Sequence, residues 1–240
     1  MKLIKRNCHK SIYNVLILRK LKPIYIEASI DYKNKVLLPC SEENIIDALK
    51  KANNPKGIIL TSPNYYGISL NLDNILNNLK EKGLKIIIDG AHGAHYGASE
   101  KLPKGMFNIA HYIVVSSHKT LPVLTQGAYL LVNEEHSNVK FYMSAFNTTS
   151  PSYLIMASLE YGRYYLDKYA RADYDDLIDI AENYKVKINA LNKVKIINDI
   201  DLQGSNNEKY ILDKSRYVMK LPKGYSGGKR LDYLREKNTK

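Results

Sequence analysis

Short apolar runs alternate with segments of helical period through the first 150 residues of the chain. Strands of a parallel sheet are buried on both faces, so they read as continuous apolar runs rather than as an alternation. Turn residues bound several of the runs, as Ser62-Pro63 does. The predicted strands are Pro23–Ile26, Gly57–Thr61, Leu84–Ile88, Tyr112–Val115 and Gly127–Val132.

Two helices are predicted between these strands. Ser41 is suited to cap a helix that carries Ile45, Ile46 and Leu49. A second helix has leucine and isoleucine at i, i+3, i+4 and i+7 over residues 72–79, and Gly83 is placed to end it as the C′ residue. Strands that alternate with helices predict an α/β fold with a mostly parallel sheet and flanking helices.

Polar residues follow two of the predicted strands. Asp89 comes at the end of one strand, and residues 116–119, Ser-Ser-His-Lys, follow the next. In open α/β sheets, ligands bind beyond the carboxyl ends of the strands. The sequence therefore predicts that these residues share one crevice.

The pattern changes after Ser150. Two long helices are predicted at Leu154–Asp167 and Tyr174–Leu191, then short strands near 193–197, 210–212 and 217–220, and a last helix at Gly228–Lys237. We therefore predict a major domain over residues 1–150, followed over residues 151–240 by long helices and part of a small α+β domain.

Composition excludes several classes of function. The formal net charge is +12, but no run of five basic residues occurs, so the lysines are interpreted as solvated and no nucleic-acid partner is predicted. No apolar run is long enough to span a membrane, and the basic N-terminus lacks the apolar region of a secretory signal. Cys8 and Cys40 form neither a disulfide framework nor a metal-ligand spacing, which favours a reducing cytoplasm.

The strongest chemical signal is an aspartate and a lysine, Asp89 and Lys119, that are 30 residues apart. Schiff-base chemistry needs a lysine amine as the nucleophile that reacts with the aldehyde of a cofactor. It also needs a carboxylate beside the pyridine nitrogen, because a protonated ring accepts electrons. Two residues at neighbouring strand ends meet this requirement.

Several longer strings share this context, and together they closely resemble the major domain of the bacterial ornithine/lysine/arginine decarboxylases. These are pyridoxal-phosphate enzymes of fold type I with an aspartate-aminotransferase-like fold. The resemblance runs from about Lys5 to the C-terminus. The strings are Arg6–Ser11 (RNCHKS), Thr61–Gly67 (TSPNYYG), Asp89–His95 (DGAHGAH), Ser116–Pro122 (SSHKTLP), Thr125-Gln126 and Thr148–Tyr153 (TTSPSY).

The resemblance implies a role for each matched position. Lys119 would form the internal aldimine with pyridoxal 5'-phosphate, and Asp89 would pair with the pyridinium nitrogen. His9 would stack on one face of the ring and Ala91 would contact the other. His92 would lie beside the polar edge of the ring.

Further matches concern the phosphate and the partner subunit. Ser116 and His118 would reach toward the cofactor phosphate. Thr148 and Ser150 would face an active site, that of a partner subunit included, since family members are dimers with shared sites.

A metal site is not predicted. His92 and His95 could form a zinc-binding pair, but no third ligand follows at a suitable spacing. His111 and His136 are interpreted as ordinary surface or strand-end residues. Cys8 is interpreted as a small buried thiol, because no neighbouring base is indicated.

Two features depart from the family pattern. Asn7 of the RNCHKS string lies only six residues after Met1, so we expect a chain truncated at both ends that lacks the phosphate-binding turn. Gly90 also replaces the acidic residue expected in the DGAHGAH string.

The expected activity is decarboxylation of arginine, lysine or ornithine to the amine and carbon dioxide, in a homodimer or together with a complementing fragment. One alternative is an inactive fragment or one half of a split decarboxylase. Another fold-type-I activity, such as that of an aminotransferase, is a further alternative, but the SSHKTLP and DGAHGAH contexts argue against it.

Overall fold

A computed structural model describes residues 2–204 and 208–237 of the chain. The described residues form seven α-helices, twelve short strands and two 3₁₀ turns. The helices are α1 (Lys10–Leu18), α2 (Glu42–Lys50), α3 (Asp73–Glu81), α4 (Ser137–Phe146), α5 (Tyr153–Lys168), α6 (Ala170–Ala190) and α7 (Gly227–Glu236).

Six strands make the central sheet. They are β1 (Lys2–Lys5), β2 (Pro23–Ile26), β5 (Gly57–Thr61), β7 (Lys85–Asp89), β8 (Tyr112–Val115) and β9 (Tyr129–Val132). Their order across the sheet is β2-β1-β5-β7-β8-β9. All pairings are parallel except the last, in which β9 runs antiparallel to β8. This confirms the predicted α/β class and the mostly parallel sheet.

The other strands form three small antiparallel pairs. They are β3 (Ile30–Asp31) with β4 (Val36–Leu37), β6 (Ile68–Leu70) with β11 (Tyr210–Leu212), and β10 (Lys195–Ile196) with β12 (Met219–Lys220). The β6–β11 pair joins a strand near the middle of the chain to one near its end. The C-terminal segment is thereby attached directly to the first half of the fold.

The main apolar core lies between the sheet and the helices that cover it. Strand residues such as Leu3, Ile58 and Ile86 are fully buried there, together with Ile45 of α2 and Leu76 of α3. Each such side chain contributes about 1.5–3 kcal/mol by leaving water. The apolar periodicity in the sequences of α2 and α3 therefore corresponds to the helix faces that are buried.

Residues beyond 150 also enter this core. Ile197, Leu202, Tyr210 and Leu212 belong to the same buried cluster as the sheet. A smaller cluster contains Leu102 and residues of α6. The division into domains at residue 150 stays a prediction, and the core on the two sides of it is continuous.

The residues predicted to cap or end two helices are confirmed, whereas α6 begins at Ala170 and not at the predicted Tyr174. Ser41 is the N-cap of α2, and its hydroxyl accepts a hydrogen bond from the Asn44 N–H at 3.0 Å. Gly83 follows α3 with φ +81°, the left-handed conformation of a C′ glycine. The long predicted helices correspond to α5 and α6, and the last one to α7.

Some elements were not predicted. Helix α1 has no clear periodicity, because Val15, Ile17 and Leu18 are apolar and yet exposed. Strand β1 is only four residues long and has a lysine at each end. No residue of helix α4 is described as buried, and its sequence shows no apolar face that would predict an amphipathic helix.

Candidate active site

The site lies where β7 and β8 end side by side. Asp89 is the last residue of β7 and is in register with Val114 of β8. Ser116 follows β8 directly, and a 3₁₀ turn over Ser117–Lys119 then places the lysine at the same edge of the sheet. The parallel topology thus brings together two residues that are 30 positions apart in the sequence.

Asp89 is half-buried and holds the start of the next loop. Its Oδ1 accepts a hydrogen bond from the Ala91 N–H at 3.2 Å. Within residues 2–204 and 208–237 it makes no ion pair. Its Oδ2 therefore stays available to a cationic group at the strand end.

The glycine at position 90 lies close against strand β8. Its N–H donates to the Val114 carbonyl at 2.8 Å, which draws the backbone against β8. A Cβ at this position would lie 3.2 Å from Cγ1 of Val115 and 3.3 Å from Cγ2 of Ile113. A larger side chain at this position would require these two methyl groups to shift slightly, whereas glycine fits without a shift and leaves the Asp89 carboxylate in place.

Lys119 and His92 are in direct contact. Lys119 Nζ lies 3.3 Å from Nε2 of His92, and the lysine side chain is otherwise exposed. Burial lowers the pKa of His92, and the charges of Lys119 and Arg216 lower it further, whereas Asp89 opposes the shift. A neutral imidazole can accept a hydrogen bond from the Lys119 ammonium.

One aromatic residue and one cationic residue also contact His92. The ring of Tyr65 meets the imidazole edge to face, with centroids 5.4 Å apart. Arg216 donates from Nη2 to the His92 carbonyl at 3.3 Å. Neither residue was singled out from the sequence. Tyr65 lies within the TSPNYYG string, which could have pointed to it, but Arg216 is 124 residues from His92 and has no local signal.

His9 lies at the start of α1 near the same edge. It is the N-cap of this helix, and its Nδ1 accepts a hydrogen bond from the Ser11 N–H at 3.3 Å. His9 is also among the groups whose electrostatic effect lowers the pKa of His92. The ring-stacking roles of His9 and Ala91 stay predictions.

The residues predicted to bind phosphate are tied to the backbone. The Ser116 carbonyl accepts from the Lys119 N–H at 3.1 Å. His118 Nδ1 lies 2.8 Å from the Gly127 carbonyl, so only its Nε2 is left for a ligand. Thr148 and Ser150 lie on an exposed segment and bond to each other, with Ser150 N–H donating to Thr148 Oγ1 at 3.1 Å.

The other histidines have structural partners. His95 is buried against Asp213 and not beside His92 as a ligand pair. His111 is buried at the start of β8, where its Nδ1 accepts from the Ile86 N–H at 3.0 Å, so the prediction of a surface position was wrong and that of a strand end was right. In the described part of the chain no group of three or more His, Cys, Asp or Glu residues could hold a metal ion.

Comparison with solved structures defines the class of fold. The model superposes on constitutive lysine decarboxylase of Escherichia coli with a TM-score of 0.79 over 99% of this chain and 40% of that one, at 18% identity. Lysine decarboxylase of Francisella novicida gives 0.78 over the same shares at 16% identity. Both likenesses show the fold of the decarboxylase major domain.

The chain belongs to the Orn/Lys/Arg decarboxylase family, whose major-domain model matches residues 1–221. It is 32% identical to the uncharacterized protein YaaO of Bacillus subtilis (strain 168) over 94% of this chain and 47% of that protein. It is 31% identical to arginine decarboxylase of Bacillus cereus over 79% of this chain and 42% of that enzyme. The chain spans less than half the length of these relatives.

Among the described residues, none of the helices is both long enough and apolar enough to cross a membrane.

Proposed function

We propose that this chain carries the catalytic core of a pyridoxal-phosphate-dependent decarboxylase of basic amino acids. The observation that carries the proposal is the juxtaposition of Asp89 and Lys119 at neighbouring strand ends, with the Lys119 amine 3.3 Å from the His92 imidazole. Family membership supports the decarboxylase class. The relatives named arginine and lysine decarboxylase support a basic amino acid as the substrate.

The residues at the site fit the cofactor. Asp89 offers an oxygen that no basic side chain of the described residues engages, as a pyridinium nitrogen requires. Lys119 is exposed and has no carboxylate partner in residues 2–204 and 208–237, so its amine can react with an aldehyde. Two solved structures with a similar fold, each with a TM-score of 0.51, are described as PLP-dependent or PLP-bound proteins.

Each residue has a defined task in this proposal. Bound pyridoxal phosphate supplies the electron sink that lets a Cα–carboxylate bond break. Lys119 would hold the cofactor through its aldehyde group. Asp89 would hold the proton on the pyridine nitrogen. The neutral His92 ring would accept a hydrogen bond from the Lys119 ammonium and orient it.

The cofactor would be oriented by the residues around these two. His9 and Ala91 would contact opposite faces of the ring, and Ser116 and the free Nε2 of His118 would bind the phosphate. The products would be carbon dioxide and a polyamine-type amine, so the activity would belong to polyamine metabolism. Cys8 and Cys40 are free thiols, which fits a reducing cytoplasm.

Exposed apolar side chains favour a homodimer or a complementing chain as the partner. They are concentrated on α4 and at the start of α5, close to Thr148 and Ser150. The exposed residues are Phe141, Tyr142, Met143, Phe146, Tyr153 and Leu154. The rings of Phe141, Tyr142 and Phe146 contact one another, and an exposed apolar cluster of this kind is typical of a protein–protein contact.

The activity test measures carbon dioxide release from arginine, lysine and ornithine by the purified chain with added pyridoxal phosphate. We expect release from at least one substrate and none from Lys119→Ala. Lys168→Ala, which removes an exposed lysine of α5, is the matched control and should keep the wild-type rate. Equal rates in the wild type and Lys119→Ala would contradict the proposal.

A further inference from the structure

A buried ionic cluster lies behind the loop that carries His92. The side chains of His95 and Asp213 are 1% and 0% exposed, and His95 Nε2 lies 3.0 Å from Asp213 Oδ2. Ser215 donates to Asp213 Oδ1 at 2.6 Å. Burial alone would raise the pKa of Asp213, but the hydrogen bonds from His95 and Ser215 and the charge of Arg216 hold it below its ordinary value. The cluster therefore contains an ionised carboxylate in the protein interior.

Arg216 connects this cluster to the candidate active site. Its Nε lies 2.9 Å from Asp213 Oδ2, while its Nη2 donates to the His92 carbonyl at 3.3 Å. Gly67 makes room for the side chain, since a Cβ there would lie 2.9 Å from Cδ of Arg216. The planar guanidinium can bond in two directions at once, which a lysine ammonium on a flexible stem does less well.

The surrounding backbone fixes the cluster in place. The Asp213 N–H donates to the Gly67 carbonyl at 2.9 Å, and β11 just before it pairs with β6. The His95 ring stacks on Tyr174 of α6 at 5.1 Å. Three segments that are far apart in sequence therefore converge on Arg216 and, through its bond, on the backbone of His92.

We propose that Arg216, anchored by Asp213 and His95, is a positioning residue that holds His92 as the hydrogen-bond acceptor for Lys119. The role rests on the proposed function, in which the Lys119 amine reacts with the cofactor. Nζ of Lys119 donates to Nε2 of His92 across the 3.3 Å that separate them, so the position of His92 fixes the position of the amine.

The charges around His92 agree with this role. Burial disfavours the imidazolium form most and so lowers the pKa of His92, Lys119 and Arg216 lower it further, and Asp89 favours the imidazolium. The Tyr65 ring covers one side of the imidazole and carries no charge. Arg216 thus both fixes the backbone of His92 and helps to keep the ring neutral.

The first test follows arginine side-chain N–H signals of the cofactor-free wild-type protein by NMR. Arg216 Nε–H is bonded to a buried carboxylate and should exchange with water at least about tenfold more slowly than the signal of Arg163, whose ion pair with Glu160 is exposed. Equal exchange rates for the two arginines would overturn the proposal, and no variant is needed to obtain this result.

The second test is a titration of the His92 ring in the same cofactor-free protein. Arg216→Gln should raise the His92 midpoint by roughly 0.5–1 pH unit, because one nearby positive charge is lost. Arg216→Lys keeps the charge and should keep a low midpoint, and the exposed control Arg163→Gln should leave it unchanged. A midpoint in Arg216→Gln equal to that in Arg163→Gln would refute the role. Neither test uses cofactor or substrate, so the outcome is independent of whether the chain decarboxylates amino acids.

Discussion

At the scale of single residues, Lys5 is the most unusual group in the fold. Its side chain is 1% exposed at the end of β1, and its Nζ has no hydrogen-bond partner among the described residues. Burial lowers the pKa of the Lys5 ammonium, although Cys40, Asp89 and Cys8 act in the opposite direction. Folding must therefore bury an unpaired charge or release a proton.

Lys5→Met should stabilise the protein by about 1–3 kcal/mol at pH 7, because a buried polar group without a partner costs that much. Since the pKa of Lys5 is lower in the folded state, the folded protein binds fewer protons, and the penalty shrinks as pH rises toward the ordinary value of 10.5. The gain from Lys5→Met should therefore decrease between pH 7 and pH 9.5 in urea unfolding. The exposed control Lys56→Met should show no such gain, and an equal effect of both variants would contradict this account.

Asp89 gives a second prediction at this scale. Asp89→Asn keeps an oxygen for the Ala91 N–H but removes the negative charge. The decarboxylation rate should fall by about 10- to 1,000-fold, because an opposite charge favours a protonated ring by about 1–3 pKa units. Bound cofactor, measured by absorbance, should fall much less. Equal losses of rate and of bound cofactor would point to a structural role for Asp89.

At the scale of elements, the N-cap of α2 stabilises a helix that packs against β2 of the central sheet. Ser41→Ala removes the acceptor of the Asn44 N–H and should destabilise the protein by about 0.5–2 kcal/mol in urea unfolding. Ser226 caps α7 in the same way, but α7 buries no residue, so Ser226→Ala should have little effect on global unfolding. If both variants were equally destabilising, the stabilising role of α2 would need another explanation.

The elements also show what the sequence could predict. Central strands such as β5, β7 and β8 are short apolar runs in the sequence, so periodicity and turn residues revealed them, although Val114 of β8 is 43% exposed. Helices α1 and α4 expose apolar side chains, and their patterns therefore resemble no amphipathic helix. Whether such an apolar face is buried depends on the segment or chain that covers it. The local sequence pattern does not encode that partner.

The candidate site likewise contains residues that the sequence could predict and a contact that it could not. Asp89 and Lys119 could be predicted, because strand ends and short motifs are local features. The contact of Arg216 with His92 depends on the β6–β11 pairing, which brings together residues 124 positions apart. No spacing rule reports a contact of this kind, and only the folded chain reveals it.

At the scale of the whole molecule, the chain combines a continuous core with a sparsely covered surface around α4 and α5. The core includes residues on both sides of position 150, and the site lies at the edge of the sheet that this core supports. The chain spans 47% and 42% of the length of two of its relatives. The exposed apolar residues of α4 and α5 are where a partner is proposed to bind.

Lys119 is the residue that is proposed to bind pyridoxal phosphate covalently. The most direct measurement is an absorption spectrum of the purified chain with added cofactor, followed by borohydride reduction and peptide mapping. We predict a band near about 420 nm that reduction removes, with the cofactor mass fixed on Lys119. A reduced adduct on another lysine, or the same adduct in Lys119→Ala, would contradict the account.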